Sequence, residues 1–251
     1  MRHLLAMVFI AVALPVFAAV SDPASLSRYE QRQLYLSAMA QIKAGQLSQY
    51  HQIKGRLADY ALYPYLEYTE RIYQISKQSP ESIADFVDRY SASPLANQLL
   101  ENWLYHEAKQ GNWSTYLKYH SKALSDPRSA CYHAYALYRE NRQQESFDAA
   151  KRLWLVDHSQ PDECNPIFKV WREADQLDPA TAWQRYFMTA TSGDASLASY
   201  LTRYLAAEDR ALADNLKQVQ QNPQYISNAG RFKSDTPNTR EVILYGVRRL
   251  A

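Results

Sequence analysis

The stretch from Ala130 to Leu155, ACYHAYALYRENRQQESFDAAKRLWL, decides the fold class. Cys131, Ala134, Tyr135 and Tyr138 recur at the i, i+3, i+4, i+7 spacing of one helix face, and Phe147, Ala150 and Trp154 share one side of a second helix. The same template fits Tyr35, Ala38, Met39, Ile42; Ile83, Phe86, Val87, Tyr90; and Ala96, Leu99, Leu100, Trp103. It continues through Ile167, Val170, Trp171, Ala174; Trp183, Tyr186, Phe187, Ala190; and Leu197, Tyr200, Leu201, Tyr204. No alternating strand pattern competes with it.

Prolines and glycines punctuate these helices. Asp22-Pro23, Ser79-Pro80, Ser93-Pro94, Asp126-Pro127, Asn165-Pro166, Asp178-Pro179, Asn222-Pro223 and Thr236-Pro237 each read as a helix start. The first side chain accepts an amide of the opening turn, and proline tolerates the next position because its missing N–H has no partner there. Gly45, Gly111 and Gly193 mark exits, where a chain leaving a helix turns left-handed. Short helices with connections of a few residues pack as antiparallel neighbours. The Ala130–Leu155 pair is reminiscent of a tetratricopeptide unit, but no regular period repeats. The expectation is an all-α superhelix of short antiparallel helix pairs, each covering the apolar face of the next.

The first residues set the compartment. Arg2, the apolar run Leu4 to Leu14 and Pro15-Val16-Phe17-Ala18 read as a cleavable signal peptide over residues 1–18. The run is shorter than the roughly 20 apolar residues of a membrane span, and no cysteine at the junction offers a lipid anchor. A periplasmic or secreted product follows, with residues 19–251 as its helical domain and no membrane span after cleavage. Six glycines in 251 residues leave no Gly-rich phosphate cradle, and the interspersed charges, net +2, give no stripe for nucleic acid. Cys131 and Cys164 are the two thiols of an exported chain and are read most simply as one disulfide. A redox pair or a metal site fits their spacing less well.

Catalytic signatures are scarce. His106-Glu107 fails as a zinc-protease motif because Gln110 occupies the second histidine position. The remaining histidines beyond His3 stand apart at 51, 120, 133 and 158, so no metal and no cofactor is assigned. No G-x-S-x-G elbow occurs. The unusual excess is aromatic, with 20 tyrosines and 5 tryptophans, and most of these rings fall on the apolar stripes. Leu62-Tyr63-Pro64-Tyr65-Leu66-Glu67-Tyr68 spans a helix start and cannot bury every ring, so Tyr63, Tyr65 and Tyr68 are the candidate glycan contacts.

Two strings resemble the amino-terminal region of the soluble lytic murein transglycosylase family. One is Asp59-Tyr60-Ala61-Leu62-Tyr63-Pro64-Tyr65-Leu66-Glu67-Tyr68. The other is the cysteine-bracketed segment from Cys131 to Trp171, with Ala149-Ala150-Lys151-Arg152-Leu153-Trp154-Leu155, Ser159-Gln160-Pro161 and Cys164. The likeness runs from about Tyr29 to about Asn222. It implies a periplasmic, U-shaped α-superhelix carrying a separate lysozyme-like domain, in which one glutamic acid cleaves the MurNAc–GlcNAc bond of peptidoglycan and assists closure of a 1,6-anhydro ring. The family's Glu-Ser followed by Gly-Leu-Met-Gln is not in this chain: Glu81-Ser82 and Glu145-Ser146 match only the dipeptide, and Asn228-Ala229-Gly230 lacks the Ala-Tyr before it. No catalytic residue is assigned. The helix from Pro237 reaches Ala251 without a cap, leaving Ile243, Leu244, Val247 and Leu250 for helices expected to follow, in a chain truncated ahead of its catalytic partner domain. An independent periplasmic adaptor that binds a protein partner is the alternative.

Overall fold

The computed structural model describes residues 26–120, 124 and 126–251; the expected signal segment 1–18 and the Asp22-Pro23 cap lie outside them. The described residues form 13 α-helices and no strand, so the all-α reading holds. The chain divides into two compact units at Tyr73 and Gln74.

The described part of the first unit, residues 26–73, contains α1 (Arg28–Lys43), α2 (Leu47–Lys54), a 3-10 turn Gly55–Leu57 and α3 (Tyr63–Tyr73). A capping box starts α1: the Ser27 hydroxyl accepts the Glu30 amide at 3.3 Å, and the Glu30 carboxylate accepts the Ser27 amide at 2.8 Å. Both α2 and α3 pack on α1. Its Ala38 and Ile42 meet Tyr50, Leu57 and Leu66 in one small core, as the stripe of α1 anticipates.

The second unit runs through α4 (Pro80–Arg89), α5 (Pro94–Gln110), α6 (Trp113–Tyr119), α7 (Pro127–Arg139), α8 (Gln143–Trp154) and α9 (Asn165–Glu173). It continues with α10 (Pro179–Ser192), α11 (Ala195–Leu201), α12 (Ala207–Gln221) and α13 (Pro237–Leu250). Ser79, Ser93, Asp126, Asp178 and Thr236 all cap as expected, accepting the amides of Ser82, Leu95, Arg128, Thr181 and Thr239. Asn222 caps a 3-10 turn, Pro223–Ser227, instead of an α-helix. Asn165 departs from the expected role. A 3-10 turn over Asp162–Cys164 runs straight into α9, so Asn165 is its first residue and turns its amide back to Asp162 Oδ1 at 3.2 Å. Gly111 takes φ +78°, and its left-handed turn hands α5 to α6. Asn141 and Asp175 do the same work after α7 and α9 without glycine.

From α4 to α9 each helix packs on the next, as do α10 on α11 and α12 on α13, and α7 also touches α5 and α9. Contact on two sides explains why Ala136 and Leu137 are buried along with Cys131 and Ala134, so the core face is wider than the sequence stripe. Fully buried Ser146 lets α8 approach α7 closely and donates its hydroxyl to Ala134 O at 2.7 Å, which satisfies a polar atom in mid-helix. Cys131 of α7 is bonded to Cys164, with Cα atoms 4.7 Å apart. At the other end of the unit, Trp183 Nε1 donates to Glu241 Oε2 at 2.8 Å and ties α10 to α13. Val242 and Gly246 of α13 face inward, while Leu244, Val247 and Leu250 stay exposed.

Two stability predictions follow from this packing. The Cys131→Ser, Cys164→Ser pair opens a loop of 33 residues and lowers unfolding free energy by about 3 to 4 kcal/mol on the chain-entropy estimate, read by urea denaturation against the oxidised parent; an unchanged midpoint contradicts the link. A Cβ at Gly246 would stand within van der Waals reach of Ile226 Cγ2 and 2.9 Å from Val219 Cγ1, so Gly246→Ala costs about 1–3 kcal/mol through overpacking. A stabilised variant contradicts that contact.

Candidate functional site

The three tyrosines singled out from the sequence do not form one surface. On α3, Tyr63 and Tyr65 point about 160° apart around the helix axis, and only Tyr65 and Tyr68 share a side. Tyr63 packs against the core of the first unit, with Lys54 Nζ 5.9 Å from its ring centre. Tyr65 is 47% exposed and Tyr68 is half-buried. On the Tyr63 side of α3 lies a polar cluster that the sequence reading passed over. Glu70 receives Lys54 Nζ at 2.8 Å and the Tyr50 hydroxyl at 3.1 Å, and meets His51 Nε2 at 2.5 Å. Glu67, 4% exposed, sits 3.7 Å from both Lys54 Nζ and a guanidinium nitrogen of Arg71. Burial pushes the Glu70 carboxyl up, but the hydrogen bonds from Lys54 and His51 outweigh it and hold the group below its ordinary value. An acid held ionised and saturated with donors binds helices together and is no proton donor.

The carboxylates that match the family dipeptide are surface groups. A backbone hydrogen bond and then Ser79 lower the Glu81 carboxyl at the start of α4, and Arg142 lowers Glu145 on α8. A glycosidic acid needs the opposite shift. His106 and Glu107 lie on α5, where the Glu107 carboxylate accepts Asn112 Nδ2 at 2.8 Å. Asn228, Ala229 and Gly230 are exposed around a 3-10 turn. Among the described residues no group of three or more His, Cys, Asp or Glu is placed to hold a metal ion. His120 and His133 do come together, with ring centres 4.3 Å apart. Burial, and then the charge of His133, pulls His120 down to about 4, and among the described residues its buried Nε2 has no partner. The pair is therefore neutral packing at neutral pH.

The second unit contains a different kind of site, a cavity of about 690 Å³ bounded by α8, α9, α10 and α11. Trp154 and Phe168 form an aromatic wall, with their rings edge to face at 5.2 Å. Arg185 of α10, only 4% exposed, lies 4.2 Å from the Trp154 ring centre and donates one guanidinium nitrogen to His158 O at 3.3 Å. Among the described residues its buried Nε has no acceptor, and neither does Trp154 Nε1. Arg172 flanks the same cavity, resting on the rings of Tyr204 at 5.3 Å and Trp154 at 5.8 Å. Burial pulls the Arg185 guanidinium down to about 10, a value that still leaves it charged at neutral pH. Charged side chains are ordinarily exposed, so neither Arg185 nor the cavity could be read from periodicity. The strings at 149–155 and 159–161 mark only its neighbourhood.

Comparison with known proteins puts this architecture in a family context. No family model matches the chain. The soluble lytic murein transglycosylase of Escherichia coli K12 is 28% identical over 217 residues, 85% of this chain and 33% of that protein. Its counterpart in Salmonella typhimurium is 27% identical over the same length. Among solved structures, an inactive mutant of the lytic transglycosylase Slt from Pseudomonas aeruginosa superposes with a TM-score of 0.77 at 31% identity, covering 88% of this chain and 36% of that one. The 70-kDa soluble lytic transglycosylase of Escherichia coli gives 0.73 at 25% identity, over 90% of this chain and 36% of that one. The chain spans about a third of the length of these relatives.

The two titrating clusters predict acid lability in separate pH windows. His120 has a folded value of about 4 against 6.5 when unfolded, so the unfolded state binds more protons between these values. Stability of the second unit is full above pH 6.5 and falls as pH drops toward 4. For Glu70, lowered from 4.5, the contribution is full above 4.5 and is lost as pH falls through its folded value. Urea midpoints between pH 7 and 4.5 should decline less steeply in His120→Asn than in the parent; equal slopes contradict the assignment.

Proposed function

Because the chain is homologous to the amino-terminal region of soluble lytic murein transglycosylases, we propose that it is the helical scaffold of a murein-cleaving enzyme. In this reading residues 1–18 direct export to the periplasm, and residues 19–251 form the α-superhelical support. Peptidoglycan is the substrate of the whole assembly. The cleavage of the MurNAc–GlcNAc bond with 1,6-anhydromuramyl formation belongs to a lysozyme-like domain held by the scaffold. No helix among the described residues is long and apolar enough to cross a membrane, which is compatible with that compartment.

The observation that carries the proposal is the match of nearly the whole described chain to a contiguous third of the relatives, in sequence and in fold together. The acids of the chain add support from the chemical side. Glu81 and Glu145 are exposed and lowered, Glu70 is fully engaged, and no Gly-Leu-Met-Gln string occurs in the sequence. Rigid short helices stacked on one another suit a mounting role, since positional precision and not proton transfer is what such a frame supplies.

A chimera tests it. Residues 26–251 replace the matched third of the Escherichia coli relative, and murein sacculi are assayed for anhydromuropeptides. The expected outcome is that the chimera releases them and the chain by itself releases none. Anhydromuropeptides from the chain alone, or a folded but inactive chimera, contradict the scaffold role.

A further inference from the structure

The cavity beside Trp154 and Arg185 has an unusual charge balance. Lys169, Arg172 and Arg185 line it against a single carboxylate, Asp194, whose Oδ1 is occupied by the Leu197 amide at 2.9 Å. Among the described residues no carboxylate pairs with Arg185 or Arg172; their contacts are aromatic faces and the one carbonyl of His158. A buried cation without an anion is costly, and a cation–π contact offsets only part of that cost. Trp154, Phe168, Leu197 and Leu201 make part of the lining apolar, beside the polar Gln160 and Asn165. About 690 Å³ is the size of a site for a small molecule or a short peptide, not for a protein surface.

We propose that this cavity binds a free carboxylate of a murein stem peptide, with Arg172 and Arg185 as its counter-charges and Trp154, Phe168 and Leu197 receiving the neighbouring methyl group. Stem peptides are short and carry free carboxylates beside alanyl side chains, which is the combination of anion and small apolar group that the lining selects. A planar guanidinium presents paired donors to a carboxylate, and the half-buried Arg172 lines the same cavity as Arg185. The inference rests on murein as the polymer handled by the assembly. It gives the scaffold a second task, holding the peptide side chains of a strand while the sugar backbone is cut elsewhere.

The test uses the full chain and two probes, the tripeptide L-alanyl-γ-D-glutamyl-diaminopimelate and the same peptide with its carboxylates amidated, titrated by calorimetry. The acid is expected to bind at least about tenfold more tightly than the amide, a difference of about 1.4 kcal/mol. Arg172→Gln, a half-buried position that leaves the core intact, is expected to remove most of that preference, and Arg185→Met to abolish it with the helical circular dichroism retained. In a second arm, the chain should sediment with intact sacculi and lose about the same factor once an amidase has stripped the stem peptides. Equal binding of acid and amide, no binding of the acid, or indifference to Arg172→Gln overturns the site. Equal sedimentation with stripped sacculi overturns its murein assignment. Acid-selective binding beside an inactive chimera sinks only the scaffold role; an active chimera without acid selectivity sinks only this site.

Discussion

A helix of about a dozen residues cannot cover its own apolar face, so every helix in residues 74–251 depends on a neighbour to bury it. The dependence is greatest at α7. It is packed by α6 and α8 along the chain and by α5 and α9 from further away, and its Cys131, Ala134, Ala136 and Leu137 are all buried. Small residues make that possible. Ala134, Ala136 and Ser146 keep the backbones close, and the bond from Cys131 to Cys164 fixes the entry of α9 against the same face. The large rings then fill the rest of the same core: Trp154 against Phe168 and Trp171, and Trp183 beside Tyr186.

This packing also creates the polar features of the molecule. Turning Trp154 inward brings its ring under Arg185, so a charge that would ordinarily lie in water is held against an aromatic face. In the first unit a comparable burial is compensated locally, because Lys54 and Arg71 reach Glu67 while Lys54, His51 and Tyr50 satisfy Glu70. The contrast separates a structural ion cluster from a binding site. In one the carboxylates meet cations of the same chain, and in the other no carboxylate among the described residues pairs with the two arginines.

Much of the helical frame was legible because its signals are local. A cap side chain followed by proline fixes a helix start through two neighbouring residues, and five such pairs open α-helices in the second unit. Asn165 misled because a 3-10 turn upstream supplied the helix start before the asparagine was reached. The Ser27–Glu30 capping box was just as local and went unread. Periodicity marked Cys131 and Ala134 but not Ala136 and Leu137, since a single stripe describes a helix covered on one side only. The tyrosines of α3 were rightly seen as too many for one face, yet helix geometry sends Tyr63 inward and away from Tyr65. Arg185 was invisible for a different reason: nothing in a sequence distinguishes a buried arginine from the many exposed ones.

Two-sided burial of α7 is the feature on which the packing of the second unit turns, and native-state hydrogen exchange resolved by residue measures it most directly. The amides of Cys131 to Tyr138 should be among the slowest to exchange in the unit, slower than those of α11 and of the exposed segment 228–236. Exchange in α7 as fast as in that segment would mean that its neighbours do not enclose it, and the account of the stack would fail.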